Sequence, residues 1–440
     1  MATGAEPAVA PRPLARPSLT RVAGDVIRPS GPARVTARTV GVSLAAVVAG
    51  AAVVLGRQQG PGATDTVWAE DGSVFLAQAR DLGLGGSLFE PFAGYLHLVP
   101  RLAAAAVSAL PLRAADTGFA VIAAGVAAAC AVFVFRASSA HVRSLWGRVA
   151  CAAPLLVSPL AGTEILANVA NLHWYLLYAA FWAVVWKPPS RWEAAVSASV
   201  VAAAVLSDPF ALVLAPLVAL RVVAAGRRAD AAVVAFGASA VVQVVGVVGA
   251  TGQRQLGEEA EVALLPFRYV VDVFGRGLAG DRFVGESGLS ARGVAVAAVV
   301  VAGVAVVAWV RRRVVGERAA LLAALGGVSV AYFVAPVALS GISAPRYAFA
   351  PALLATAALV VVLDGAALDR TTAAALAVVA ACWVVGLPSH NDRDEGPAWD
   401  EALATSAAAC APGERVDVPV LPRGMSAALA CDDVVEAARP

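Results

Sequence analysis

Runs of Ala, Val and Leu, each about one membrane crossing long, recur from residue 35 to residue 387, with short polar stretches between them. A hydrocarbon core of ~30 Å takes about 20 helical residues, and inside lipid a helix satisfies its own backbone polar groups. The pattern predicts helices near 35–56, 114–135, 148–166, 172–186, 192–206, 210–225, 229–249, 291–310, 318–340, 346–364 and 371–387. That is an all-α fold, a polytopic transmembrane helical bundle of about eleven spans. Residues 95–112, "YLHLVPRLAAAAVSALPL", carry His97, Pro100 and Arg101 in their first half. They read as an amphipathic helix lying on the membrane surface; the alternative is a twelfth span. Residues 1–34 are rich in Pro, Ala and Arg without periodicity, the pattern of a disordered tail.

Basic residues assign the sides. Arg12, Arg16, Arg21, Arg28, Arg34 and Arg38 precede or open the first run, which puts the N-terminus inside. Arg136, Arg143 and Arg148, then Lys187 and Arg191, then Arg227 and Arg228, then Arg311–Arg313, and finally Arg370 mark further inner loops. These marks agree only if 95–112 does not cross. Eleven spans then put the C-terminus outside, in a multi-pass protein of the cytoplasmic membrane. The outer segments are 57–113, 250–290 and the polar tail 388–440. Cys410 and Cys431 lie in that tail, in a compartment where disulfides persist, and a bridge between them would staple a small domain; two free thiols are the alternative.

Composition supports the membrane reading. Hydrophobic residues make up 60% of the chain, against about 45–50% in soluble domains. Net charge is only +2 and Lys187 is the single lysine, so nothing suggests nucleic-acid binding. Neither a CxxC nor a His/Cys cluster is present, so a metal site of the zinc type is not expected.

Polar groups that fall at the outer boundary are the functional candidates, because ionisable residues near membrane depth are expensive. They are Glu70 and Asp71, His97 and Arg101, Asn171 and His173 in "NVANLHWYLLY", Asp208 in "LSDPFAL", and Arg346 and Tyr347 in "LSGISAPRYAFAP". Blander roles compete. Trp174 and Tyr175 suit an interfacial aromatic belt. His173 suits a bond to a loop carbonyl. Asp208 before Pro209 suits a helix N-cap, and Arg346 suits snorkelling to headgroups. Glu258, Glu259 and Glu261 suit a solvated helix face. The acidic pair opens a helical stretch, where the helix dipole favours carboxylates.

The order of features is similar to a known family. An inner tail and first span lead into an outer loop that opens with "WAEDGSVFLAQARDLG" and continues through "PFAGYLHLVPRLAAAAVSALPL". A late span opens with "SAPRYAFAPALLA". This resembles the GT-C superfamily of integral-membrane glycosyltransferases, which includes the protein mannosyltransferases and the lipid A aminoarabinose transferases. The acidic order here is Glu-Asp, where better-known members often read Asp-Glu, so either acid can be the equivalent.

The resemblance implies a polyprenyl-phosphate-linked sugar as donor and an envelope glycan, lipid or protein as acceptor. A carboxylate would take the acceptor proton, with Asp71 the first choice and Glu70 the second. A fixed cation would stabilise the departing phosphate, and Arg346 is the choice because guanidinium presents a planar fork. Tyr347, His97 and Arg101 would share that pocket, and His173, Asp208 and Asn171 would line the acceptor side. Some relatives also use a divalent cation. The rival readings are a multi-pass transporter or lipid flippase, and an outer-leaflet polysaccharide polymerase or ligase.

Overall fold

The computed structural model describes residues 18–31, 36–58, 62–162, 164–226, 230–250, 262–285, 289–340, 344–364, 370–387 and 392–439. The chain is mostly helical. Among the described residues, six helical stretches are long and apolar enough to cross a membrane: Ala37–Gly56, Leu112–Ala140, Ala231–Gly249, Ala291–Val310, Ala319–Leu339 and Pro345–Leu363. Several start at side-chain caps that occupy the first free N–H groups. Thr36 and Thr39 form a reciprocal capping box, and Ser190, Asp230 and Ser290 cap the helices that follow them.

Shorter apolar helices fill the bundle, among them Leu172–Val185, which is buried along its whole length. Trp174 and Tyr175 are 2% and 1% exposed. They are core residues and not a lipid-facing belt, because this helix stands at the centre of the bundle and its rings fill the gaps between neighbours. The run expected at 148–166 is broken into Leu145–Ala152, Pro154–Val157 and a tight turn at Pro159–Ala161, since Pro154 and Pro159 each start a new segment.

The two ends of the bundle are built from different segments. At one end Arg136 pairs with Glu193 at 2.7 Å, Arg221 binds the carbonyls of Ala183, Val184 and Trp186, and Arg318 binds the carbonyl of His141. Residues 18–31 also lie here and are ordered, against the expectation of a disordered tail. Ser18 caps helix Leu19–Val26, which buries Ala23 and Val26, and Arg28–Pro29 pair in parallel with Trp186–Lys187. The apolar face of this short helix is what orders it. The remainder of the expected tail, 1–17 and 32–34, lies outside the described residues.

The other end carries residues 62–114, the turns at 164–171 and 208–210, and the tail. Within the segment expected to lie on the membrane surface, residues Leu98–Ser108 form a helix. Both its ends stay at this end of the bundle: Ser207 accepts the Val99 N–H, while Arg80 and Trp399 donate to the carbonyls of Leu110 and Leu112.

The tail is not all helix. Helix Trp399–Ala407 is followed by an antiparallel pair, Arg415–Val420 with Met425–Ala430, and by helix Cys431–Ala437. A disulfide joins Cys410 to Cys431. This unit docks on the first loop. Trp399 donates its N–H to Asp65 O and its indole N–H to Leu112 O, Arg393 lies over the Trp68 ring at 5.0 Å, and Arg415 pairs with Asp81 at 2.6 Å.

Candidate functional site

The first loop is held by the tail hairpin. Leu421 donates to Val67 O at 3.0 Å and accepts from the Ala69 N–H. Ala69 is left-handed at φ 43°, a conformation that costs a non-glycine residue of order 1 kcal/mol and persists only where its surroundings enforce it. The chain then enters a π-helical turn, Asp71–Leu76.

Across this turn the two acids part. Asp71 is 1% exposed, and its oxygens accept the N–H groups of Val169 at 2.8 Å and Ala170 at 2.7 Å. Burial pushes its carboxyl up to about 7, against the pull of those two donors. Asp71 latches the 168–171 turn and is not part of the cavity wall. Glu70 is half-buried and lines a cavity of about 900 Å³. Among the described residues no hydrogen bond or ion pair engages the Glu70 carboxylate.

His97 reaches the same cavity from a tight hairpin. Phe92 and Tyr95 exchange both backbone hydrogen bonds around Ala93 at φ 50° and Gly94 at φ 85°, the positive-φ pair of a type I′ turn. The turn returns the chain so that His97 Nε2 lies 3.1 Å from Phe92 O, with the Tyr95 ring 4.1 Å away. Burial lowers the His97 pKa to about 3, so the ring is neutral at pH 7 and donates Nε2–H to that carbonyl. Behind it Gln243 pairs with the Leu96 peptide, accepting its N–H at 3.3 Å and donating to its carbonyl at 3.4 Å. Arg101 does not reach the cavity. It is 1% exposed, packed 5.2 Å from the Phe75 ring centroid, and donates to Gln78 Oε1 at 2.5 Å. It braces Phe75 and Gln78, which do line the cavity.

The opposite wall comes from the bundle. Asn171, His173, Asp208, Arg346 and Tyr347 all line it, with Glu164 and Trp174. Their bland roles are present too. His173 Nδ1 meets Ala170 O at 2.9 Å, and Asp208 caps the Phe210 N–H at 2.7 Å while its second oxygen lies 3.5 Å from His173 Nε2. Arg346 pairs with Glu164 at 2.8 Å and lies over the Tyr347 ring at 5.2 Å. Pro422 and Met425 of the tail hairpin complete the rim.

Thus seven of the nine residues singled out from the sequence meet in one cavity, and Asp71 and Arg101 stand behind its wall. The sequence reading missed Glu164 and Gln243 because both fall within or beside runs assigned as spans. A lone polar residue in an apolar run is the signal that marks them. The described residues of the outer segment 250–290 add nothing to the cavity: Val270–Ala279, which carries the buried Asp272–Arg276 pair, packs on helix Ala291–Val310. Glu258, Glu259 and Glu261 lie outside the described residues. Among the described residues no three of His, Cys, Asp and Glu are gathered as a metal-ligand set. Comparison with protein-family models, with curated proteins and with solved structures finds no match to this chain.

Proposed function

We propose that the chain is a membrane glycosyltransferase that moves a sugar from a polyprenyl-phosphate donor to an acceptor on the outer face of the cytoplasmic membrane. The observation that carries this reading is the cavity, where the uncommitted carboxylate of Glu70 and the guanidinium of Arg346 open on one space. An acceptor hydroxyl would give its proton to Glu70 as its oxygen attacks the anomeric carbon. The bond from that carbon to the phosphate oxygen breaks, and the polyprenyl phosphate leaves with its charge facing Arg346. Glu70 replaces Asp71 as the proposed base, since both Asp71 oxygens are already engaged by backbone donors.

The proposed topology is eleven passes with the N-terminus inside and the C-terminus outside. Six are the long helices; the others are 145–161, 172–185, 191–207, 209–225 and 370–386. What supports this orientation is the collection of Arg136, Lys187, Arg221 and Arg318 at the end opposite the cavity. A transporter reading is less favoured. The central helix Leu172–Val185 is packed along its whole length, which suits a one-sided site better than a path through the bundle.

The test is release of polyprenyl phosphate by the purified protein in proteoliposomes containing polyprenyl-phosphate hexoses and pentoses. Wild type releases the lipid phosphate in the presence of acceptor, and Glu70→Gln lowers the rate at least ~100-fold. Full activity in Glu70→Gln would end the assignment of the base.

A further inference from the structure

Arg346 faces the cavity already holding a partner. Its Nη1 lies 2.8 Å from Glu164 Oε1 and 2.9 Å from Oε2, so one nitrogen meets both carboxylate oxygens. That is not the parallel two-nitrogen fork of the strongest guanidinium pairs. The pair is also open: the two side chains are 29% and 43% exposed, and both line the cavity. Arg346 is braced by Tyr347, whose ring lies 5.7 Å from that of Trp174. The Glu164 main chain is tied by Asn171, which donates Nδ2–H to its carbonyl at 2.8 Å. The guanidinium and the Glu164 backbone are both held, and the carboxylate is the part free to turn away. Arg346 is the single cationic side chain on the wall among the described residues, and it faces Glu70, Glu90 and Asp208 as well as Glu164.

We infer that Glu164 is a displaceable counter-anion, holding the Arg346 guanidinium until the phosphate of a lipid-borne ligand takes its place. The inference rests on the proposed role of Arg346 as the phosphate site. Its consequence is a higher threshold for occupancy of Arg346, the same for every phosphate. An open ion pair is weak, so a phosphate that also gains contacts for its lipid and sugar displaces Glu164 easily. Free phosphate gains only the guanidinium and must compete with the carboxylate for it, in a cavity whose other fixed charges are negative. Glu164 would thereby keep Arg346 from being occupied by free inorganic phosphate.

The experiment is titration calorimetry of the detergent-purified full chain with two probes, inorganic phosphate and farnesyl phosphate. Wild type binds farnesyl phosphate and binds inorganic phosphate far more weakly. Glu164→Gln binds both more tightly, by about fivefold, the factor an exposed ion pair corresponds to. Glu164→Asp, with a shorter reach to Arg346, shifts both in the same direction by less and serves if the Gln variant does not fold. Unchanged affinities in both variants, or weaker farnesyl phosphate binding, would overturn the inference, the latter making Glu164 a positioning residue. Arg346→Gln separates the two levels: wild-type farnesyl phosphate affinity in that variant would remove the phosphate site itself, and the inference with it.

Discussion

Replacing Asp71 by Asn tests the division of labour between the adjacent acids. The carboxylate accepts two backbone N–H bonds, of 2.8 and 2.7 Å, in a site closed to solvent. Asn keeps one carbonyl oxygen and turns an NH2 group toward the second donor. One charge-assisted bond is lost, at ~1.5–3 kcal/mol, and one buried N–H is left without an acceptor, at ~1–3 kcal/mol. Removing an ionisable group from a site that resists charge returns part of this. A net loss of about 2–3 kcal/mol is expected at neutral pH, a melting point lower by roughly 3 °C. The assay is thermal unfolding of the purified protein followed by tryptophan fluorescence, with Glu70→Gln beside it. Glu70 has no partner to lose, so its variant should melt within ~0.5 kcal/mol of wild type. Equal melting of Asp71→Asn and wild type, or a lower melting point for Glu70→Gln than for Asp71→Asn, would refute the latch.

Further outcomes follow from the same geometry. The folded-state pKa of Asp71 is raised, from 3.8 to about 7. Its contribution to stability is therefore fully present below about pH 4 and is lost as pH rises through 7; the melting gap between wild type and Asp71→Asn should widen as pH falls over that window, and a constant gap would contradict it. Gln243→Leu strips both partners from the buried Leu96 peptide, which should cost about 2 kcal/mol or more, seen as a lower melting point, whereas Gln243→Glu should restore at most the N–H bond. Reducing Cys410–Cys431 frees a loop with a sequence separation of 21, which should loosen the tail by about 3 kcal/mol and speed its removal by trypsin. A C-terminal epitope should be reachable from outside intact cells; detection only after permeabilisation would reverse the proposed topology.

Parts of the site were legible because polar groups in a greasy chain are conspicuous. His97, Asn171, His173, Asp208, Arg346 and Tyr347 each stand at the end of an apolar run, and turns at one end of a bundle are brought together by helix length alone. Which of two neighbouring acids faces the cavity was not legible. Glu70 and Asp71 differ by one position, and the choice is made by the left-handed Ala69 and the π-helical turn after it. Ala69 is held there by Leu421, about 350 residues away, through contacts that no local pattern encodes.

The sequence by itself determined that this is a helical membrane protein, because apolar runs of that length have no other stable home. It also determined which residues are chemically conspicuous. Only the tertiary structure decided what those residues do. It placed Arg101 and Asp71 behind the wall, set Glu164 on Arg346, and folded the tail back to close the rim with Pro422 and Met425. The physical reason is that helix periodicity is local, whereas the exposure and pairing of a polar group depend on which distant segment packs over it.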